Sequence, residues 1–163
     1  MHWEENGWLE PGERMDAEAL GWVLAEKDYG VRKAEESLRH VEAARPHLRE
    51  ADARDLHDYF ARTLLTARLH RAVSAAYFGY RVWARGGALR TPEVAKTVRD
   101  GLAEIEVVAQ AIEEYPTKPP AGQWTWVEDA GRARQYHRWI TGGWPAVTRG
   151  YRNPYGGLAF VDR

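Results

Sequence analysis

The sequence predicts an all-α fold: an antiparallel helical bundle of four to five helices, with one long central helix and an irregular, aromatic-rich C-terminal segment. Apolar residues recur at helical spacing through most of the first 115 residues. No proline interrupts residues 51–84, and five of the eight prolines come after residue 115. These observations divide the chain into a helical bundle core over residues 1–115 and a connector, short helix and wrap over residues 116–163, expected to belong to the same domain.

The first helix is predicted to begin near residue 16, because the Asp16 carboxylate can accept hydrogen bonds from the free amides of a first helical turn. The triplet Asp28-Tyr29-Gly30 is expected to interrupt it. The apolar stripe then resumes, so we expect a second helix or a kinked continuation to about Ala44. Pro46 predicts a tight corner, and it suits the first turn of the helix that follows.

The central helix is predicted over residues 51–84, which at about 1.5 Å per residue form a rod of roughly 50 Å. Its apolar stripe shifts around the helix, and a second apolar side develops near the C-terminal end. We therefore expect more than one neighbour to pack on this rod. Gly86-Gly87 is expected to end it.

A further helix is predicted from Thr91-Pro92-Glu93, which combines an N-cap, a proline in the first turn and an acid at the positive end of the helix dipole. Its apolar stripe ends near Glu114. Residues 116–123, PTKPPAGQ, predict an extended connector. A shorter helix is predicted from Val127 to Ile140, and the last 20 residues are expected to be irregular or to contain a short hairpin.

Composition excludes several classes of function. The chain carries 23 Lys plus Arg against 24 Asp plus Glu, so nothing in its charge favours a nucleic acid or an anionic membrane. It has no cysteine, which excludes disulfides and cysteine-ligated zinc. No signal peptide and no apolar stretch of ~20 residues is visible. We expect a soluble protein without a nucleic-acid or membrane partner, cytoplasmic if the chain is complete.

Motifs for catalysis and metal binding are not evident, so the sequence predicts no catalytic residue, no cofactor and no metal site. The local metal candidates are Glu36 with His40 and the set His57, Asp58 and His70. His57 and His70 are 13 residues apart on one rod, too far along it to share an ion. The paired carboxylates lie on faces expected to be solvated, where a general acid would not have a raised pKa.

Aromatic residues are the most distinctive feature: the chain has eight Trp, eight Tyr and three Phe. Many lie near arginines in the C-terminal segment, together with Phe160. Flat rings with a polar tip can stack on sugars or fit a partner surface, but they also commonly cover a core. Under the first interpretation the rings are solvent-accessible and lie along one groove. The predicted ligand-binding residues are Trp124, Trp126, Tyr136, Trp139, Trp144, Tyr151 and Tyr155.

Residues 55–68, DLHDYFARTLLTAR, continue into Ala75-Ala76-Tyr77-Phe78. This pattern resembles a long helix in the C-terminal all-helical domain that follows the barrel in bacterial α-glucuronidase-type and related glycoside hydrolases. The resemblance covers about a third of the chain. It implies an accessory helical domain that flanks a catalytic one, often at an interface or dimer contact. The family's catalytic acid and base lie on the barrel, so it implies no catalytic residue here.

Three functional hypotheses follow. The first is a non-catalytic helical accessory domain of a carbohydrate-processing protein, which contacts glycan or a partner domain through its C-terminal aromatics. The second is a stand-alone interaction module that forms a homodimer through the long helix. The third is a small metal- or cofactor-dependent bundle enzyme that uses His57, His70 or His137.

Overall fold

The computed structural model describes residues 15–116, 126–148 and 151–161, which form an all-α fold as predicted. Within these ranges there are four α-helices and a short antiparallel hairpin in which Val147 pairs with Arg152. The helices are α1 (Ala17–Ala44), α2 (Glu50–Ala84), α3 (Pro92–Glu113) and α4 (Trp126–Gly142), and the strands are β1 (Val147–Thr148) and β2 (Tyr151–Arg152). The prediction of four to five helices with one long helix is confirmed, and of the two alternatives for the tail, irregular or with a short hairpin, the hairpin is present.

Helix α1 begins where the sequence predicts, because the Asp16 carboxylate accepts a 2.8 Å hydrogen bond from the amide of Ala19. Of the two alternatives beyond residues 28–30, a second helix is wrong: α1 is one helix that continues through Gly30 to Ala44. A glycine in a helix costs about 1 kcal/mol relative to alanine, and tertiary contacts on both sides offset that cost. Asp28 accepts a 2.9 Å hydrogen bond from Arg71 of α2, and Ala34 is buried.

The corner at Pro46 is present, but its role differs from the prediction. Pro46 lies in one separate turn of 3-10 helix, Arg45–His47, and α2 begins three residues later at Glu50. Acidic side chains in the first turn of α2 favour this start, since they face the positive end of the helix dipole. One of them, Asp52, accepts two hydrogen bonds from Arg49, at 2.7 and 3.0 Å.

The first three helices run antiparallel to one another in turn, as cross-helix contacts show. From one end of the α1–α2 pair to the other, His57 pairs with Glu42, Arg71 with Asp28, and Arg85 with the carbonyl of Met15. Between α2 and α3, Tyr115 reaches Asp58 near one end and Arg90 reaches Trp83 near the other. The N-cap predicted at Thr91 is confirmed, since its hydroxyl accepts the amide of Val94.

Glycine permits a very close contact between α2 and α3. A Cβ placed on Gly101 of α3 would lie 2.6 Å from the amide nitrogen of Ala76 and 2.8 Å from the carbonyl oxygen of Ala72. Only glycine allows the backbones of α2 and α3 to approach this closely. The second apolar side predicted for α2 is confirmed, because α1, α3 and α4 all pack on this helix.

The chain turns sharply after α4. Gly143 has φ +94°, and a Cβ there would lie 2.3 Å from the carbonyl oxygen of Gly157, so both the conformation and the close approach require glycine. The chain then returns to α4, where the amide of Phe160 donates a 2.8 Å hydrogen bond to the carbonyl of Ile140. The C-terminal segment therefore packs on the end of the bundle. The predicted connector lies outside the described residues, except for Pro116.

Candidate functional site

The structure divides the seven predicted ligand-binding residues into three groups. Tyr136 and Trp144 are buried, while Trp139 and Tyr155 are half-buried against the core. Trp124 and the side chains of Trp126 and Tyr151 lie outside the description. The expectation that these rings are solvent-accessible is wrong for Tyr136 and Trp144. Both project into the space between α2 and α4, where they are part of the hydrophobic core.

Trp144 is the centre of this aromatic cluster. Its ring centroid lies 5.3 Å from that of Tyr77 and 6.2 Å from that of Tyr80, both on α2. On α4, the ring centroids of Tyr136 and Trp139 lie 5.4 and 5.0 Å away. Tilted and edge-on contacts of this kind add to the stability gained from apolar burial. The four neighbouring rings leave the indole no exposed face that a sugar could contact.

A buried arginine holds the C-terminal segment to α2. Arg81 is fully buried, donates a 3.4 Å hydrogen bond to Asn153 Oδ1, and lies 4.8 Å from the ring centroid of Tyr155. Next to it, the hydroxyl of Tyr80 donates a 2.5 Å hydrogen bond to the carbonyl of Leu158. Burial raises the pKa of Tyr80 to about 12, against an opposing effect of the nearby Arg81 charge. These contacts join the C-terminal segment to α2.

The histidines of the metal hypothesis lie in separate places. His57 faces Glu42 at 3.3 Å, and His137 lies 4.0 Å from Glu106. Burial lowers the pKa of His70, with Asp129 acting in the opposite direction. Over the described ranges, no three His, Asp or Glu side chains come together in a way that could hold a metal ion.

Two surface depressions were not predicted from the sequence. The first, of about 410 Å³, lies at the start of α3 beside the C-terminal segment, where the guanidinium of Arg90 stacks 4.3 Å from the ring centroid of Trp83. Arg99 and Leu158 also line it. The second, of about 400 Å³, follows one face of α2 from Tyr59 to His70.

The largest exposed aromatic side chain described is on α1. Trp22 is 73% exposed, and Tyr29, two turns later on the same face, is 56% exposed. Both point away from the buried stripe that contains Leu20 and Ala34. The guanidinium of Arg32 and the ammonium of Lys33 lie 6.0 and 5.8 Å from the ring centroid of Tyr29. We call this surface the outer face of α1; it comprises Glu18, Trp22, Ala25, Glu26, Tyr29, Arg32, Lys33, Glu36 and His40.

The outer face was not predicted, although the sequence contains a signal for it. Trp22 lies between Leu20 and Val23, inside an apolar run, but it falls on the opposite side of the helix from Leu20. A large aromatic residue off the apolar stripe indicates either a second packing partner or an exposed surface. Its seven-residue spacing from Tyr29, which places both rings on one face, is visible in the sequence.

Comparison with known proteins gives no relative: no family model, curated protein or solved structure matches the chain. Among the described helices, none has an apolar stretch long enough to cross a lipid bilayer.

Proposed function

We propose that this protein is a helical interaction module that binds a partner helix along the outer face of α1. The observation that carries the proposal is the exposure of Trp22 and Tyr29, two large rings on one rigid helix face. Trp, Tyr and Arg are the residue types most often found at the energetic centres of protein interfaces, and this face presents all three.

The different exposure of the aromatic residues favours a site on α1 over one in the C-terminal segment. Tyr136 and Trp144 are already surrounded by other rings of the same chain. The rings of the outer face, by contrast, have only Arg32 and Lys33 near them among the aromatic contacts described. A helical partner could cover Trp22 and Tyr29 together, because they lie about two turns, or roughly 10 Å, apart along α1.

The resemblance to helical domains of α-glucuronidase-type glycoside hydrolases remains a proposal compatible with this one. In that form, the partner helix belongs to a flanking catalytic domain. Glycan contact by the C-terminal aromatics also remains a prediction. It is best tested by titrating oligosaccharides against intrinsic tryptophan fluorescence with Trp124→Ala, since Trp144→Ala would remove a central core side chain and destabilise the protein.

Site-specific photocrosslinking in the cells that naturally contain the chain tests the interaction module. Trp22 is replaced by p-benzoylphenylalanine, and Val107 of α3, which is 57% exposed, is replaced likewise as a matched control. The proposal predicts a discrete adduct from position 22 that is absent from position 107 and is lost when Tyr29→Ser is added. Mass spectrometry then identifies the crosslinked chain. Equal adducts from both positions, or none from position 22, would contradict the proposal.

A further inference from the structure

We propose that the depression at the start of α3 binds a small carboxylic acid with an apolar body, whose carboxylate pairs with the guanidinium of Arg90. Its volume of about 410 Å³ falls within the range of small-molecule sites, which are mostly apolar and have a few polar groups that orient the ligand. None of its described lining residues belongs to the outer face of α1. Binding of the acid is therefore a second property of the protein, independent of the partner helix.

The depression lies between two walls that are already in place. One wall is a face of α3 and the other is the C-terminal segment, and the described lining residues on them include Pro92, Ala95, Arg99, Leu158, Ala159 and Val161. The second wall is fixed on both sides of Ala159. The amide of Phe160 donates a 2.8 Å hydrogen bond to the carbonyl of Ile140, and the carbonyl of Leu158 accepts one of 2.5 Å from Tyr80. A ligand that enters a formed site does not bear the cost of ordering it.

Trp83 holds the guanidinium of Arg90 in two ways. Its ring centroid lies 4.3 Å from Cζ, and its carbonyl oxygen accepts a 3.1 Å hydrogen bond from Nε. These contacts use the face of the guanidinium and one of its five N–H donors. Within the described ranges, the donors on Nη1 and Nη2 are left for a ligand. They form a fork that fits the two oxygens of a carboxylate.

The arginines of two other surface depressions are already paired with carboxylates. In the depression along α2, Arg62 lies 2.9 Å from Asp58. A third depression, of about 340 Å³, contains two arginines of α2, and both are bound to carboxylates of neighbouring helices. Of these three depressions, the one at the start of α3 alone contains an arginine, Arg90, without a carboxylate among its described contacts. An anion can therefore bind there without displacing an ion pair within the described ranges.

Other positive groups lie nearby but are in use. The hydroxyl and the carbonyl of Thr91 accept the amides of Val94 and Ala95, so the first turn of α3 already has its capping partners. Arg99 takes part in interactions of its own. Arg90 is therefore the group to which we assign the ligand carboxylate.

The apolar lining indicates what the carboxylate is attached to. Pro92, Leu158 and Val161 present hydrocarbon to the depression, and Val161 is 50% exposed. A simple inorganic anion would leave this surface in water, whereas a hydrocarbon body would cover it and add the hydrophobic contribution to binding. One guanidinium balances one negative charge. The arrangement therefore favours a monocarboxylate with an aromatic or aliphatic body over a phosphate dianion.

Two-dimensional ¹⁵N NMR of the full chain, titrated with 3-phenylpropanoate, tests this site. We expect saturable shifts of amides in residues 90–99 and 158–161, with a dissociation constant of about 1 mM or below. Two matched probes separate the parts of the ligand: 3-phenylpropanamide keeps the body without the charge, and acetate keeps the charge without the body. Each should bind at least ~10-fold more weakly, because each lacks one of the two contacts.

Arg90→Gln should raise the dissociation constant of 3-phenylpropanoate at least ~10-fold, because it removes the charged partner of the carboxylate. Arg39→Gln, at an exposed arginine of α1, is the control and should leave the constant unchanged. Ala159→Leu fills part of the depression and keeps Arg90, so it should weaken binding of 3-phenylpropanoate more than that of acetate.

Circular dichroism melting checks that each variant is folded. The assignment would be overturned if the wild type showed no saturable shift up to ~10 mM probe, or if the amide or acetate bound as tightly as the acid. An unchanged constant in Arg90→Gln or in Ala159→Leu, or an equal loss in Arg39→Gln, would overturn it as well.

Discussion

In α2, residues 72–84 are all buried, whereas residues 50–71 of the same helix bury only Ala53 and Leu69. The buried half is surrounded by α1, α3, α4 and the C-terminal segment, and Arg81 is its one charged residue. Residues 50–71, which we call the exposed half, are otherwise half-buried or exposed. They carry ion pairs and single exposed rings such as Tyr59. Aromatic content therefore does not by itself locate a binding surface. The dense C-terminal aromatics pack at one end of the bundle, while a few exposed rings lie elsewhere on its surface.

The largest expected effect is at the centre of the buried half. Trp144→Ala removes a fully buried indole that contacts four other rings, and should lower the free energy of unfolding by about 4 kcal/mol. Urea unfolding followed by circular dichroism measures the change. A loss below about 1 kcal/mol would show that the aromatic cluster contributes little to stability.

The close contact of α2 with α3 should respond next. Gly101→Ala places a Cβ against the backbone of Ala72 and Ala76, which cannot move without separating the helices, so we expect a loss of about 2 kcal/mol. Gly131→Ala on α4 is the matched control, because a Cβ there meets open space. It should stabilise the protein by about 0.7 kcal/mol through helix propensity. Thermal melts of both variants measure these changes in stability. A change of the same sign in both variants would contradict the explanation from helix packing.

The pH dependence of stability should report the buried Tyr80. Its folded-state pKa of about 12 exceeds the ordinary value of 10, so the unfolded chain releases the proton first as the pH rises. The contribution of protonated Tyr80 to the free energy of unfolding is complete below pH 10. About 2 kcal/mol of it is lost as the pH rises from 10 towards 12.

Chemical unfolding at several pH values from about 9 to 12 measures this slope. Tyr80→Phe should flatten it, while Tyr59→Phe, at an exposed ring, should leave the wild-type slope intact. A slope that is the same in all three proteins would show that Tyr80 does not carry the effect.

The smallest effect belongs to the exposed half of α2. Tyr59→Ser removes a ring that is 58% exposed, so the free energy of unfolding should change by no more than about 0.5 kcal/mol. Urea unfolding under the conditions used for Trp144→Ala gives the comparison. A loss near that of the core variant would mean that the two halves of α2 do not differ as described.

Local signals in the sequence predict most of the fold. The Asp16 and Thr91 caps, the unbroken rod and the stop at Gly142-Gly143 depend on neighbours within a few residues, and the structure confirms them. A second helix beyond Gly30 is wrong because Arg71, more than 40 residues away, supports α1 there. Helix propensity depends only on residues close in the sequence, so it could not predict that contact.

The candidate site was less predictable for the same reason. Burial of Trp144 depends on the chain reversing after Gly143 and on Tyr80 bonding to Leu158, 78 residues away. Such pairings have no local signature. Arg81 shows a related limit: its surroundings in the sequence are apolar, but burial of its charge depends on Asn153 arriving from the C-terminal segment.

Hydrogen exchange measured by mass spectrometry on the dilute protein tests the central contrast most directly. We expect the amides of residues 72–84 to exchange slowest, at a rate set by global unfolding, and those of residues 50–68 to exchange faster through local opening. Uniform protection along α2, or slower exchange in its N-terminal half, would contradict the division of this helix into a core half and an exposed half.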